Sequence, residues 1–125
     1  MRIDDLESWA YELGFDAVGI TPVVCLTEEE KRLRKWLEEG KHGDMVFLEQ
    51  NIEKRSDPRL LVEGAVSVVV TLTNYYTDSG QDTEGPRIAR YAMGKDYHWV
   101  LKARLAELLN RMEEADGVSG GRCFT

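Results

Sequence analysis

Apolar residues along this chain change period several times, and each change marks a predicted element. Leu6, Trp9, Ala10 and Leu13 recur at helical spacing over residues 4–13, and Gly14 can take the left-handed conformation that ends a helix. Residues 15–20 then run apolar in the manner of a strand, stopped by Thr21 and Pro22. Thr27 and Glu30 stand at capping-box spacing, which predicts a second helix with Thr27 as its cap. Leu33, Trp36 and Leu37 form its apolar stripe, Gly40 stops it, and the Lys41-His42-Gly43 turn leads to a short third helix around Met45 to Glu49. Asp57 followed by Pro58 is the order of a cap and a first helical residue, so Arg59, Leu60 and Leu61 read as a brief turn.

Residues 66–76 are β-branched nearly throughout and apolar on both faces at their start, the pattern of a strand at the centre of a sheet. Residues 77–86 are polar, hold Gly80, Gly85 and Pro86, and read as a flexible surface loop. Residues 87–93 suit a further strand. Asp96 or a neighbour then caps a long helix carrying Trp99, Val100, Leu105, Leu108, Leu109 and Met112. After Gly117 a turn leads to Arg122, Cys123, Phe124 and Thr125, which read as the start of another strand, with an edge open to pairing with a copy of itself. The order of elements predicts an α+β fold, a single layered domain over residues 1–125 with a small central mixed sheet flanked by helices.

Length and charge narrow the class. A chain of 125 residues can bury roughly two thirds of its unfolded surface in one core, and three Trp and five Tyr argue against disorder. The formal charge of −7, from 23 acidic and 16 basic residues, repels phosphate and anionic lipid, so any nucleic-acid contact has to be local. No apolar run approaches the roughly 20 residues of a membrane helix, and the acidic start is not a secretory signal, so the expected compartment is the cytoplasm. Cys25 and Cys123 lie far apart without CxxC or His-rich spacing; they are expected to be unrelated free thiols, and no metal site is assigned.

The chemically unusual stretch is Arg90-Tyr91-Ala92-Met93-Gly94-Lys95-Asp96-Tyr97-His98, which gathers aromatic, basic and acidic side chains around one glycine just before a helix. Such a corner suits a ligand: glycine permits close backbone approach, the helix start offers unpaired N–H groups, and Tyr and His stack and hydrogen-bond. On the residues alone the plainer account is that Asp96 caps the helix while Tyr97 and His98 cover its first turn. Arg55, beside Asp57 and Pro58, has a planar fork suited to a carboxamide or phosphate, and suits a solvated loop equally. His42 reads as an exposed ring complementing the carbonyls that end the preceding helix, without a catalytic role. Asn74, Tyr75 and Tyr76 are better placed, since ligand sites in α/β sheets gather where strands end, though aromatic packing at a sheet edge explains them as well. GxSxG, Walker, HExxH and GxGxxG motifs are absent from the sequence, so no catalytic residue is assigned and half of a binding cleft is the more plausible contribution.

These stretches, with Leu13 to Ile20, Trp36-Leu37, His42-Gly43-Asp44-Met45 and Lys54 to Leu61, resemble in order the N-terminal domain of the epoxyqueuosine reductases, often described as iron–sulfur cluster-binding proteins. The resemblance implies a cytoplasmic oxidoreductase in which this domain and a following ferredoxin-like domain with two [4Fe–4S] clusters enclose a cobalamin and reduce epoxyqueuosine in tRNA to queuosine. Carried over by position, the corrinoid-side residues are Arg55, Tyr91, Ala92, Gly94, Asp96, Tyr97 and His98; His98 is not expected to ligate cobalt. The family's acid, an Asp, follows a segment like Arg122 to Thr125, and its cluster cysteines lie further on, so this chain is expected to be a truncated domain, inactive alone, with tRNA contacts left to downstream regions. A non-catalytic α+β interaction module and a flavin-binding reductase domain are the alternatives.

Overall fold

In the computed structural model, residues 2–76, 78, 80 and 84–125 are described. They form two compact units, one from those within 2–19 and 70–125 and the other residues 20–69. The helix-rich composition with one strand pair is the α+β class that the sequence predicts.

The first unit is built on two helices, α1 (Ile3–Glu12) and the long C-terminal α4 (Tyr97–Asp116). Their facing sides bury Leu6, Ala10 and Leu108, with Phe15 just after α1 completing the core. Each fully buried Leu contributes about 1.5–3 kcal/mol, so this small cluster is the main apolar anchor of the unit. Asp5 opens α1 by accepting from the Arg2 N–H at 2.9 Å, and Gly14 closes it at φ 83°. The left-handed backbone calls for glycine there, and a Cβ would sit tightly, 3.3 Å from the Arg104 guanidinium. That guanidinium donates to the Gly14 carbonyl at 3.1 Å, while Arg111 donates to Glu12 at 2.8 Å and to Glu107 at 3.0 Å. Asp96 caps α4, as the sequence predicts, and Gly117, at φ 65°, ends it.

β1 (Ala17–Pro22) and β2 (Ser67–Leu72) pair with each other. Asp16 N–H donates to the Leu72 carbonyl and Val23 N–H to the Val66 carbonyl, a register in which one strand ascends as the other descends, so the pair is antiparallel. β2 is shorter than the apolar run that predicts it. Past Leu72 the backbone leaves the ladder because side chains take its N–H groups: Asp16 Oδ2 accepts from Asn74 at 2.7 Å, and Asn74 Oδ1 from Tyr76 at 2.9 Å. With one partner among the described residues, β2 has a free edge and is not central.

Two further strand predictions fail. Residues 87–93 hold a 3-10 turn, Arg90–Ala92, closed by Ala92 N–H to Ala89 O and Met93 N–H to Arg90 O; local bonds replace a ladder for which no described strand is in place. Residues 122–125 form no strand. The segment before them folds back on α4, where Glu113 Oε1 accepts from the N–H groups of Gly120 and Gly121 at 2.9 and 3.0 Å. Of the loop predicted over residues 77–86, residues 77, 79 and 81–83 lie outside the described ones.

The second unit packs α2 (Thr27–Glu38) against the short α3 (Ile52–Ser56). Thr27 is the first helical residue and makes no cap bond; the predicted capping box does not form. Leu26 precedes it instead, held by its own N–H to Ser56 O at 2.8 Å and accepting from Glu30 N–H at 2.9 Å. The predicted helix near Met45 is a 3-10 turn, Val46–Glu49, and Pro58–Leu60 is another, capped by Asp57 as expected. α3 escaped the sequence analysis because it is only five residues long, and its entry needs the left-handed φ of 56° that Asn51 tolerates. Arg34 links the two helices, pairing with Glu30 at 2.7 Å and Glu53 at 3.2 Å.

Candidate functional site

The end of β2 and the start of α4 bring a run of aromatic rings together within the first unit. The Asp16–Asn74 and Asn74–Tyr76 bonds hold the backbone after the strand and fix Tyr75 and Tyr76 beside it. The Tyr75 ring meets Tyr91, on the 3-10 turn, edge to face at 6.3 Å and 78°. Tyr91 meets Tyr97, the first residue of α4, at 6.0 Å and 81°. Tyr97 stacks on His98 at 4.0 Å and 28°. Beside them the Arg90 guanidinium lies 4.5 Å from the centroid of the Tyr76 ring. Edge-to-face contacts suit the ring quadrupoles and leave faces uncovered; Tyr75 is 64% exposed and Tyr91 53%.

Between Tyr91 and Tyr97 the backbone turns at Gly94, φ 87°, where a Cβ would meet no atom within 4 Å. The left-handed φ, not crowding, calls for glycine here. Asp96 then accepts on one oxygen, Oδ1, from both the His98 N–H at 2.9 Å and the His98 ring Nδ1 at 2.8 Å. The backbone bond first and the ring bond second hold the Asp96 carboxyl below the ordinary range.

Six of the residues singled out from the sequence, Tyr91, Ala92, Gly94, Asp96, Tyr97 and His98, thus share one exposed corner. Both readings of it meet in Asp96, which caps the helix and grips the imidazole with the same oxygen. Arg55 belongs to the other unit. There its Nη1 and Nη2 donate to the carbonyls of Leu48 and Phe47, each at 3.0 Å, and tie down the turn before α3. Tyr75 joins the aromatic run through tertiary contact; the sequence hint was its place at a strand end.

His42 departs from expectation. The residue is buried rather than exposed, its ring 5.9 Å from the Trp36 ring, and Nε2 lies 2.7 Å from Glu49 Oε1 while Nδ1 has no partner among the described residues. The ring packs near Trp36 and is held by the Glu49 carboxylate, seven residues along and invisible to a helix-end rule. Cys25 and Cys123 are free thiols; burial, then the nearby Glu113 carboxylate, pushes the Cys123 thiol up. A hollow of about 280 Å³ beside the strands is lined by Ala17, Val18, Gly19, Val70 and Leu72 and offers no titratable side chain. Among the described residues no three His, Cys, Asp or Glu side chains gather as a metal site, and no helix is long and apolar enough to cross a membrane.

The family model described as epoxyqueuosine reductase QueG, DUF1730, matches residues 55–125, which include the whole aromatic corner. The chain is 46% identical over 120 residues to an epoxyqueuosine reductase of Leadbetterella byssophila and 41% identical over 121 residues to one of Cellulophaga algicola, covering 96% and 97% of this chain and 40% of each relative. Among solved structures it matches epoxyqueuosine reductase from Streptococcus thermophilus with a TM-score of 0.76 at 31% identity, covering 92% of this chain and 32% of that one. A selenomethionine-labelled epoxyqueuosine reductase matches with a TM-score of 0.73 at 27% identity, over 91% and 32%. The chain therefore spans about two fifths of the length of the curated relatives it matches. With more than half of its residues matched by that model, the chain belongs to the epoxyqueuosine reductase QueG family.

Proposed function

We infer that this chain is the N-terminal, cobalamin-binding portion of a cytoplasmic enzyme that reduces epoxyqueuosine in tRNA to queuosine, and that the portion alone is inactive. The observation that carries the reading is the exposed run Tyr75–Tyr91–Tyr97–His98 beside Gly94. A corrin needs a flat apolar wall and hydrogen-bonding groups for its peripheral carboxamides; exposed Tyr rings, their hydroxyls and the His98 imidazole fit both needs. When bound, cobalamin supplies the cobalt-centred reduction that removes the epoxide oxygen as water, with two electrons and two protons. This chain's own residues bind and orient: the Tyr faces exclude water from one side of the ring, and Asp96 keeps His98 in place. Electron supply from two [4Fe–4S] clusters, the proton donor and the contacts to tRNA fall to the further length that the relatives have, in keeping with an overall charge here that repels phosphate.

Titrating aquacobalamin into the purified chain tests the reading. A saturable shift of the corrin absorption is expected, weakened roughly 5–10-fold by Tyr97→Ala, the loss of one ring contact. A folded chain that leaves the spectrum unmoved overturns it; yellow protein on purification would favour a flavin domain instead.

A further inference from the structure

We propose that Asp96 is a positioning residue that fixes His98 in one orientation and one tautomer, so that Nε2 stands as the hydrogen-bond acceptor of the corner and receives an N–H from a peripheral carboxamide of the corrin. The corrin half of this rests on the function inferred above; the tautomer half stands without it.

An ionised carboxylate only accepts hydrogen bonds. The carboxyl of Asp96 is held below its ordinary range and is ionised at neutral pH, so across the 2.8 Å contact with Nδ1 the proton belongs to the ring. A neutral imidazole carries one donor and one acceptor nitrogen, and fixing the first fixes the second. In the neutral ring Nε2 is then a bare lone pair. Three restraints hold the ring that carries it: the bond to Asp96 Oδ1, the stack on Tyr97 at 4.0 Å, and the helical backbone whose N–H at His98 is bound to the same oxygen. The side chain is 56% exposed, and among the described residues Nε2 has no partner. An acceptor aimed outward from an aromatic wall selects ligands that are flat and carry N–H at the rim. Tyr hydroxyls, which donate as readily as they accept, do not discriminate in this way. In a ligand whose rim bears esters in place of carboxamides the same lone pair finds nothing to accept.

The experiment has two arms on the full 125-residue chain. With ¹⁵N-histidine labelling at mildly alkaline pH, His98 should show a protonated Nδ1 and a bare Nε2, and Asp96→Ala should convert it to a mixture while the His42 signals stay in place. A His98 with its proton on Nε2 in the unmodified chain overturns the tautomer half. In the binding arm, His98→Ala should weaken aquacobalamin roughly 5–10-fold, as for loss of one hydrogen bond, His98→Gln should restore part of that through its carbonyl, and a corrin bearing methyl esters in place of carboxamides should bind both forms alike. Equal weakening of both corrins means that the ring only stacks and removes the acceptor role. Aquacobalamin binding unchanged by His98→Ala also overturns the proposal while leaving the inferred function standing. Absence of aquacobalamin binding to the unmodified chain removes the inferred function and the corrin half together, and the tautomer is still decided by the first arm.

Discussion

The two units hold themselves together by different means. In the first, the buried side chains are apolar: Leu6, Ala10, Phe15 and Leu108. In the second, Ile52 is buried together with two polar residues, His42 and Ser56, and order comes from side chains that reach backbone or charge, such as Arg55 on the 46–49 turn, Arg34 between Glu30 and Glu53, and Ser56 on the Ile52 carbonyl at 2.9 Å. Apolar burial is non-directional and strong per residue, whereas exposed polar contacts are directional and individually weak. The first unit should therefore respond to lost volume, and the second to lost hydrogen bonds and to pH.

The largest effect is expected from Leu108→Ala, which empties the centre of the α1–α4 contact. It should cost about 3 kcal/mol, read as a lower urea midpoint, and a loss under about 1 kcal/mol would mean that the cluster collapses around the gap and the contrast is false. Next comes Arg55→Ala. Its removal should cost about 1 kcal/mol and speed hydrogen exchange across residues 46–49, because two carbonyls lose a charged donor and turn to water; unchanged exchange would free Arg55 from a structural role.

The smallest effect is the pH dependence of Asp57. The Arg59 guanidinium, first of all, holds its carboxyl below the ordinary value. A carboxyl whose pKa is lower folded than unfolded adds stability above the unfolded value, roughly pH 4, and that stability is lost as pH falls through the folded one. Asp57→Asn should flatten this acid limb by lowering stability at neutral pH toward the value the native chain keeps in acid, with little change below the folded pKa. An acid limb of the same slope in both forms would assign it elsewhere, with Glu53 and Asp96 the groups whose pKa values are lowered in the same sense.

Local rules reached much of this fold. α1, α2 and α4 follow from apolar spacing, Gly14 from the need for a left-handed stop, and the Asp57 and Asp96 caps from single polar side chains ahead of a helix, because each depends on neighbours within a turn or two. The same residues carried the family resemblance. What failed did so where a distant group competes with a local one. Thr27 loses its cap role because Leu26 is fixed by Ser56, the 66–76 run is cut short because Asp16 and Asn74 take its N–H groups, and His42 bonds Glu49 rather than the carbonyls that end α2.

The candidate site divides along the same line. Sequence alone singled out Tyr91, Gly94, Asp96, Tyr97 and His98, since they are nearly contiguous and any turn before a helix keeps them together. Only tertiary structure set Tyr75 against Tyr91 and assigned Arg55 to the carbonyls of its own unit, because ring contacts and forked donors depend on where chain segments meet in space, which no periodicity encodes.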